Sequence, residues 1–317
     1  MEKLLPKRLG KGSIVGIVAP SKKLGGEHRQ YLEKFRNYLA GLGIETVLGK
    51  HIFSSASFGV AAGTPKERAQ DINEMFKKPK IDAVWCFQGG KPANQVLDLI
   101  DYEAIKKHPK LFLGMSDVDL LLLSANKLSG LITFIAPDAK RGTGADLDFE
   151  YSRKYFIERL FEGKKEIVPS SEWKTVRKGK AKGKLLGCNI TVILKLAGTK
   201  YFPDFSESVL FLEGYHEELD NTVWKLEQLR QLGVFDKIKG IVIGYVFGFQ
   251  AKEQLDEKGN RVDYEQLVLE ATKEYDFPIL KINEFGHRCK NAFLPIGVQV
   301  EADSTHKKIT ILEDFIR

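Results

Sequence analysis

Short apolar runs alternate with stretches of helical periodicity through the first 165 residues, and this alternation leaves few folds open to the chain. Ser13-Ile14-Val15-Gly16-Ile17-Val18-Ala19 is an apolar β run closed by Pro20-Ser21, and Tyr31, Leu32, Phe35, Leu39 and Leu42 then recur at helical spacing. Strand followed by helix is the predicted order. The same reading gives strands at 44–48, 81–87, 110–113 and 131–135, and helices at 67–76, 92–99, 117–126 and 149–161. Strands apolar at nearly every position are buried on both faces, which predicts an α/β domain with a parallel sheet covered by helices on each side. Ligands of such sheets bind at the carboxyl ends of the strands. Gly89-Gly90 and Ser116 both fall there.

The alternation resumes after the lysine-rich segment 174–184, which carries Arg177, Lys178, Lys180 and Lys182 among Gly179 and Gly183 and follows Pro169-Ser170-Ser171. That composition predicts an exposed linker. The expected organisation is therefore an amino-terminal α/β domain at 1–167, a linker at 168–183 and a smaller carboxy-terminal α/β domain at 184–317. In the latter a helix is expected at 189–197, a strand at 208–213, a helix at 219–232, a buried strand at 238–245, a helix at 264–275, and a hairpin from 297–301 and 308–312. Two domains suit 317 residues.

Composition removes several classes of function. With 43% hydrophobic and 29% charged residues the chain is an ordinary globular protein. It has no apolar run of 18 residues, so no transmembrane helix and no membrane partner are expected. Residues 1–8 lack the apolar core of a signal peptide, and a cytoplasmic location is the expectation. Cys86, Cys188 and Cys289 show no C-x-x-C spacing, which argues against a zinc site or a disulfide framework. The net charge of +7 is spread over many segments without interleaved aromatics. No nucleic-acid partner is expected.

Gly114-Met115-Ser116-Asp117 follows the apolar run Leu111-Phe112-Leu113 and precedes a helix. Two readings stand side by side at this point. Ser116 is either the nucleophile of a strand-turn-helix elbow, with its hydroxyl held above the sheet edge, or Ser116-Asp117 is an ordinary helix N-cap. A serine nucleophile needs a base, an acid to orient that base, and donors for the oxyanion. Of six histidines, His28, His51, His108 and His306 occupy polar, surface-like contexts, and His216 sits in the acidic segment His216-Glu217-Glu218. His287, in Glu284-Phe285-Gly286-His287-Arg288-Cys289 ahead of the Leu294-Pro295-Ile296-Gly297 turn, is the candidate base or a plain loop histidine. Glu213 closes a strand and is either a site carboxylate or a salt-bridge partner. Gly10-Lys11-Gly12 precedes the first strand instead of following one, Gly90-Lys91 lacks the upstream Gly and the Ser/Thr of a phosphate loop, and no H-E-x-x-H helix occurs, so dinucleotide, phosphate-loop and metalloprotease patterns all fail.

These segments resemble, nearly end to end, the LD-carboxypeptidase family of serine peptidases, including its microcin C self-immunity branch. The resemblance is carried by Leu9-Gly10-Lys11-Gly12 before Val18-Ala19-Pro20-Ser21, Gly63-Thr64-Pro65-Lys66-Glu67-Arg68-Ala69, Gly89-Gly90 and Gly114-Met115-Ser116-Asp117. In the second half it is carried by Gly183-Lys184-Leu185-Leu186-Gly187-Cys188-Asn189, Gly198-Thr199, Leu210-Phe211-Leu212-Glu213, and Gly286-His287 with Leu294-Pro295-Ile296-Gly297. It implies a catalytic triad of Ser116, His287 and Glu213, with an oxyanion hole from the Asp117 backbone N–H and one N–H of Gly89-Gly90. Trp173, Asn189 and Arg288 are candidates for binding substrate.

The resemblance further implies a homodimer that needs no metal or organic cofactor and hydrolyses an amide next to a free carboxylate, releasing the terminal D-alanine of a murein tetrapeptide. Alternatives are cleavage of a peptidyl- or aminoacyl-nucleotide conjugate, and a catalytically silent peptide- or nucleotide-binding protein. Met115, Cys188 and Ala136 stand where the family commonly has an aromatic, a glycine and a glycine. Phe87-Gln88-Gly89-Gly90-Lys91-Pro92-Ala93-Asn94-Gln95 and Trp173 lean toward the immunity branch.

Overall fold

The structure is a computed structural model that describes residues 2–144, 146–249 and 251–317. The chain divides into two compact units: unit 1 is Met1–Lys164 with Asn291–Ile296 and Asp314–Arg317, and unit 2 is Lys165–Lys290 with Gly297–Glu313.

Unit 1 follows the predicted alternation as β1 (Ile14–Val18), α1 (Gly26–Gly41), β2 (Glu45–Leu48), α2 (Pro65–Lys77), β3 (Ala83–Cys86), α3 (Tyr102–Lys107), β4 (Leu111–Gly114), α4 (Asp119–Ser129), β5 (Thr133–Ile135) and α5 (Glu150–Leu160). Strands β1 to β5 are all parallel, in the order β5-β4-β3-β1-β2. The hydrophobic stripes of the sequence explain the layering. Leu32, Phe35 and Leu39 face inward from α1, and every residue of β3 and β4 is buried. Trp85 anchors the core, edge-on to Phe35 at 4.9 Å and donating its indole N–H to the Pro137 carbonyl at 2.7 Å. Helix α2 starts on a capping box: Thr64 and Glu67 satisfy each other's backbone N–H, and Pro65 takes the first turn, where its missing donor costs nothing.

Two expectations for this unit change. Residues 92–99, expected as an α-helix, form 3₁₀ turns over Ala93–Leu99. Leu294-Pro295-Ile296, expected as a turn, is an antiparallel strand, β11 (Leu294–Ile296), added beside β5 at the sheet edge. A proline is tolerated there because an edge strand has one side free of the ladder.

Unit 2 contains β6 (Lys174–Arg177), β7 (Lys180–Asn189), α6 (Ile190–Lys195), β8 (Ser208–Tyr215), α7 (Leu219–Gln231), β9 (Gly240–Phe247), α8 (Tyr264–Ala271), β10 (Ile279–Gly286), β12 (Gln299–Asp303) and β13 (Lys308–Ile311). Its seven strands run β13-β12-β7-β8-β9-β10-β6, with a parallel centre of β7, β8, β9 and β10. The expected hairpin is present as β12 and β13. The segment read as a linker instead supplies β6 and the start of β7. Lys180, Lys182 and Lys184 point to solvent while Ala181 and Gly183 point inward, the period-2 pattern of a half-buried strand. Gly187 in β7 sits at φ +143° and admits no side chain, since a Cβ there would lie 2.0 Å from the Phe211 carbonyl oxygen. Among the described residues, no helix is long and apolar enough to cross a membrane.

Candidate active site

Ser116 stands two residues after the end of β4 at φ +72°, in the left-handed region. A helix N-cap takes extended dihedrals, and here that position belongs to Met115 at φ −149° and ψ 161°, with no side-chain cap bond. The cap reading of Ser116 therefore gives way to the sharp elbow. A β-carbon in this conformation is strained by about 1–2 kcal/mol, and such strain collects at functional positions. Gly89 faces the serine so closely that an added methyl would lie 2.6 Å from Ser116 Cβ and 2.8 Å from Oγ. The same methyl would sit 3.1 Å from the Asp117 backbone nitrogen. Both candidate oxyanion elements thus border the serine.

The Asp117 carboxylate is turned away from the helix start. Its Oδ2 accepts from Ser21 Oγ at 2.6 Å and from the Ala93 backbone N–H at 2.8 Å, tying together the loops that follow β1, β3 and β4. Arg68, 1% exposed on α2, adds a second tie. Its guanidinium donates to the carbonyls of Pro20 at 2.7 Å and Pro92 at 3.0 Å, and to Gln95 Oε1 at 2.6 Å. Burial lowers the Arg68 pKa and the charge of Asp117 works against that shift. Neither Ser21 nor Arg68 was singled out in the sequence as a site residue. The available signal was spacing: Arg68 lies on the same helical stripe as Ile72, Met75 and Phe76, where an arginine must be bonded if buried.

In unit 2, Glu213 near the end of β8 and His287 just after β10 form a buried pair. His287 Nδ1 lies 2.6 Å from Glu213 Oε2, and the His287 backbone N–H donates to the same oxygen at 3.3 Å. An acid on Nδ1 fixes the tautomer that leaves Nε2 basic, which is the role of the acid in a serine triad. The ladders slip beside both residues, between Leu212 and Gly214 on β8 and between Lys281 and Gly286 on β10. Such irregularities re-aim side chains at strand ends. Burial, then the charges of Glu217 and Glu213, push the neighbouring Tyr264 phenol well above its ordinary pKa.

The remaining candidates are distributed as follows. Asn189 caps α6 through its side chain and pairs in register with Glu213 across β7 and β8. Trp173 is buried and donates its indole N–H to Glu284 Oε2 at 2.7 Å, while Ser170 and Ser171 bond to the other oxygen. Arg288 is exposed at φ +58°, with its guanidinium 5.2 Å above the Phe247 ring. His51, read as a surface histidine, is largely buried and pairs with Asp71 at 2.9 Å. Met115, Ala136 and Cys188 are all buried. Among the described residues no cluster of His, Cys, Asp or Glu could hold a metal.

Residues 15–136 match the LD-carboxypeptidase N-terminal domain, and residues 182–302 match the LD-carboxypeptidase C-terminal domain. The chain belongs to the LD-carboxypeptidase family. It is therefore a member of a peptidase family, and its two-domain α/β fold is that of its relatives. A probable murein peptide carboxypeptidase of Bacillus subtilis is 29% identical over 97% of this chain and 94% of its own length. The microcin C7 self-immunity protein MccF of Escherichia coli is 25% identical over 99% of this chain and 97% of its own. Among solved structures, an MccF-like protein from Bacillus anthracis superposes with a TM-score of 0.84 at 27% identity, covering 98% of this chain and 99% of that one.

Proposed function

We propose that this LD-carboxypeptidase family member is a serine carboxypeptidase that hydrolyses an amide next to a free carboxylate, releasing the terminal D-alanine of a murein tetrapeptide. The observation that carries the reading is Ser116 held at φ +72° behind a strand, packed against Gly89. In this mechanism His287 Nε2 takes the proton of Ser116 Oγ as the oxygen attacks the amide carbonyl carbon. The oxyanion is bound by the Asp117 N–H and one N–H of Gly89-Gly90, while Glu213 holds the imidazolium. As the C–N bond breaks, the imidazolium returns the proton to the leaving amine. Water, deprotonated by His287, then attacks the acyl carbonyl, and the imidazolium returns that proton to Ser116 Oγ as the ester C–O bond breaks.

Arg288, exposed and with its guanidinium over the face of Phe247, supplies the cation that a carboxypeptidase needs for the substrate carboxylate. Trp173 and Asn189 act from behind, through Glu284 and the α6 start. The enzyme works in the cytoplasm as a homodimer.

Incubating the protein with murein tetrapeptide and measuring free D-alanine tests the reading; no release rejects this substrate. A second reading, cleavage of an aminoacyl- or peptidyl-nucleotide conjugate, is favoured by the full-length similarity to MccF. Presenting both substrates to one preparation separates the two by kcat/KM. Gly89→Ala gives a narrower check. Its backbone tolerates alanine, but the methyl crowds Ser116 and the oxyanion position. The expected loss of kcat is about 10²–10³-fold, as large as that from losing one oxyanion donor, with about 1–3 kcal/mol of stability lost to the overpacked contact.

A further inference from the structure

Glu213 alone does not fix the plane of the His287 ring. A hydrogen bond at Nδ1 resists rotation of the imidazole about its Cβ–Cγ bond from one edge only, and any residual rotation swings Nε2 off the direction in which it must receive a proton. A second constraint is present on the face of the ring. Tyr215, two residues after Glu213 on β8, lays its ring on His287 with centroids 4.4 Å apart and planes 21° from parallel. Tyr215 is in turn stacked on Phe247 at 5.4 Å and 23°, and His216 meets both rings edge-on, at 4.2 Å and 5.2 Å. The stack forms although Tyr215 is 36% exposed.

We propose that Tyr215 is a positioning residue for His287: Glu213 holds the ring edge, Tyr215 holds the ring face, and Phe247 backs Tyr215. The inference rests on His287 being the general base. Tyr215 acts through that histidine and touches no reacting atom. An aromatic face also attracts a cation within about 6 Å of its centroid, so the same contact favours the imidazolium formed when Ser116 gives up its proton. The phenol hydroxyl has no part in this role. A phenylalanine will therefore serve, and an aliphatic residue of similar bulk will not.

The test uses an alkyl fluorophosphonate on the full chain, so that it does not depend on knowing the natural substrate. In that reaction the Ser116 Oγ–P bond forms, the P–F bond breaks, the serine proton passes to His287 and fluoride departs. Tyr215→Leu should lower the maximal labelling rate about 10-fold with half-saturation changed less than about 2-fold, an effect of the size of one cation–π contact. Tyr215→Phe should restore the rate to within about 2-fold of the parent. In NMR spectra, the carbon-bound ring protons of His287, assigned by their loss in His287→Ala, should move downfield in Tyr215→Leu and stay in place in Tyr215→Phe, because a stacked ring shields them. The proposal is overturned by a parental labelling rate in Tyr215→Leu, by an effect confined to half-saturation, or by Tyr215→Phe behaving like Tyr215→Leu. Undiminished labelling in His287→Ala would instead remove the underlying assignment of the base.

Discussion

Ser116→Ala is expected to abolish turnover, lowering kcat by about 10⁴-fold or more while the fold and substrate affinity persist. Alanine relieves nothing in the backbone, since the left-handed strain at φ +72° belongs to any residue with a β-carbon. Its effect is thus confined to the missing oxygen. If the proposed triad operates, His287→Ala should cost about as much as Ser116→Ala, because members of a triad act as a unit, and the double variant should lose little more than either single one. Glu213→Gln belongs to the same series: an amide at 2.6 Å from Nδ1 can donate to it and so favours the wrong tautomer, for a loss of about 10⁴-fold. Release of D-alanine at fixed enzyme concentration measures all four. A double variant showing the product of two single losses would mean that serine and histidine act independently, contrary to the triad.

Lys225→Met should produce the largest loss of stability of any single substitution considered for unit 2. The Lys225 ammonium lies 2.8 Å from both oxygens of Glu217, and the two side chains are 8% and 0% exposed. Thr222 and Thr191 hydroxyls complete the cage at 3.3 and 3.4 Å. Methionine matches the length of the stem but leaves a carboxylate buried without its counter-ion, at a cost of about 3–5 kcal/mol. For a unit of this size that corresponds to a fall of about 10 °C in melting temperature. Adding Glu217→Gln should recover a large part, because the uncompensated charge is then gone. Calorimetry on the three variants checks this, and a Lys225→Met melting point within a degree of the parent rejects the pair as a stabilising element. Glu217 follows Tyr215 and His216 directly, so its displacement should also disturb the stack on His287 and reduce turnover.

The layered alternation of unit 1 was readable because its strands are short and its central ones, β3 and β4, are apolar and buried throughout. Ser116, Glu213 and His287 were readable as residue types at strand ends; the roles proposed for them rest on the order of the surrounding motifs. What was hidden has physical causes. In β6 and β7 the lysines dominate the composition, yet the decisive signal is that they alternate with Ala181 and Gly183. In β11 a proline that would break a central strand is harmless at an edge. The ties made by Asp117 and Arg68 depend on loops that are far apart in sequence, and no local pattern announces a carboxylate that turns away from its own helix. Tyr215 was invisible for a related reason: its partner, His287, is 72 positions away and meets it only through sheet geometry.

The edge strand β11 and the final residues, Asp314–Arg317, belong to the unit that carries Ser116, although both follow His287 in the chain. During synthesis the serine is therefore made early, but the sheet beneath it gains its last strand only after Glu213 and His287 have emerged. A cut after Lys164 would leave β5 with an open edge and strip Pro6 and Arg8 of their backbone bonds to Arg317. The two units are therefore not consecutive halves of the sequence: the one that carries Ser116 is completed by β11 and by residues 314–317, both of which follow Glu213 and His287.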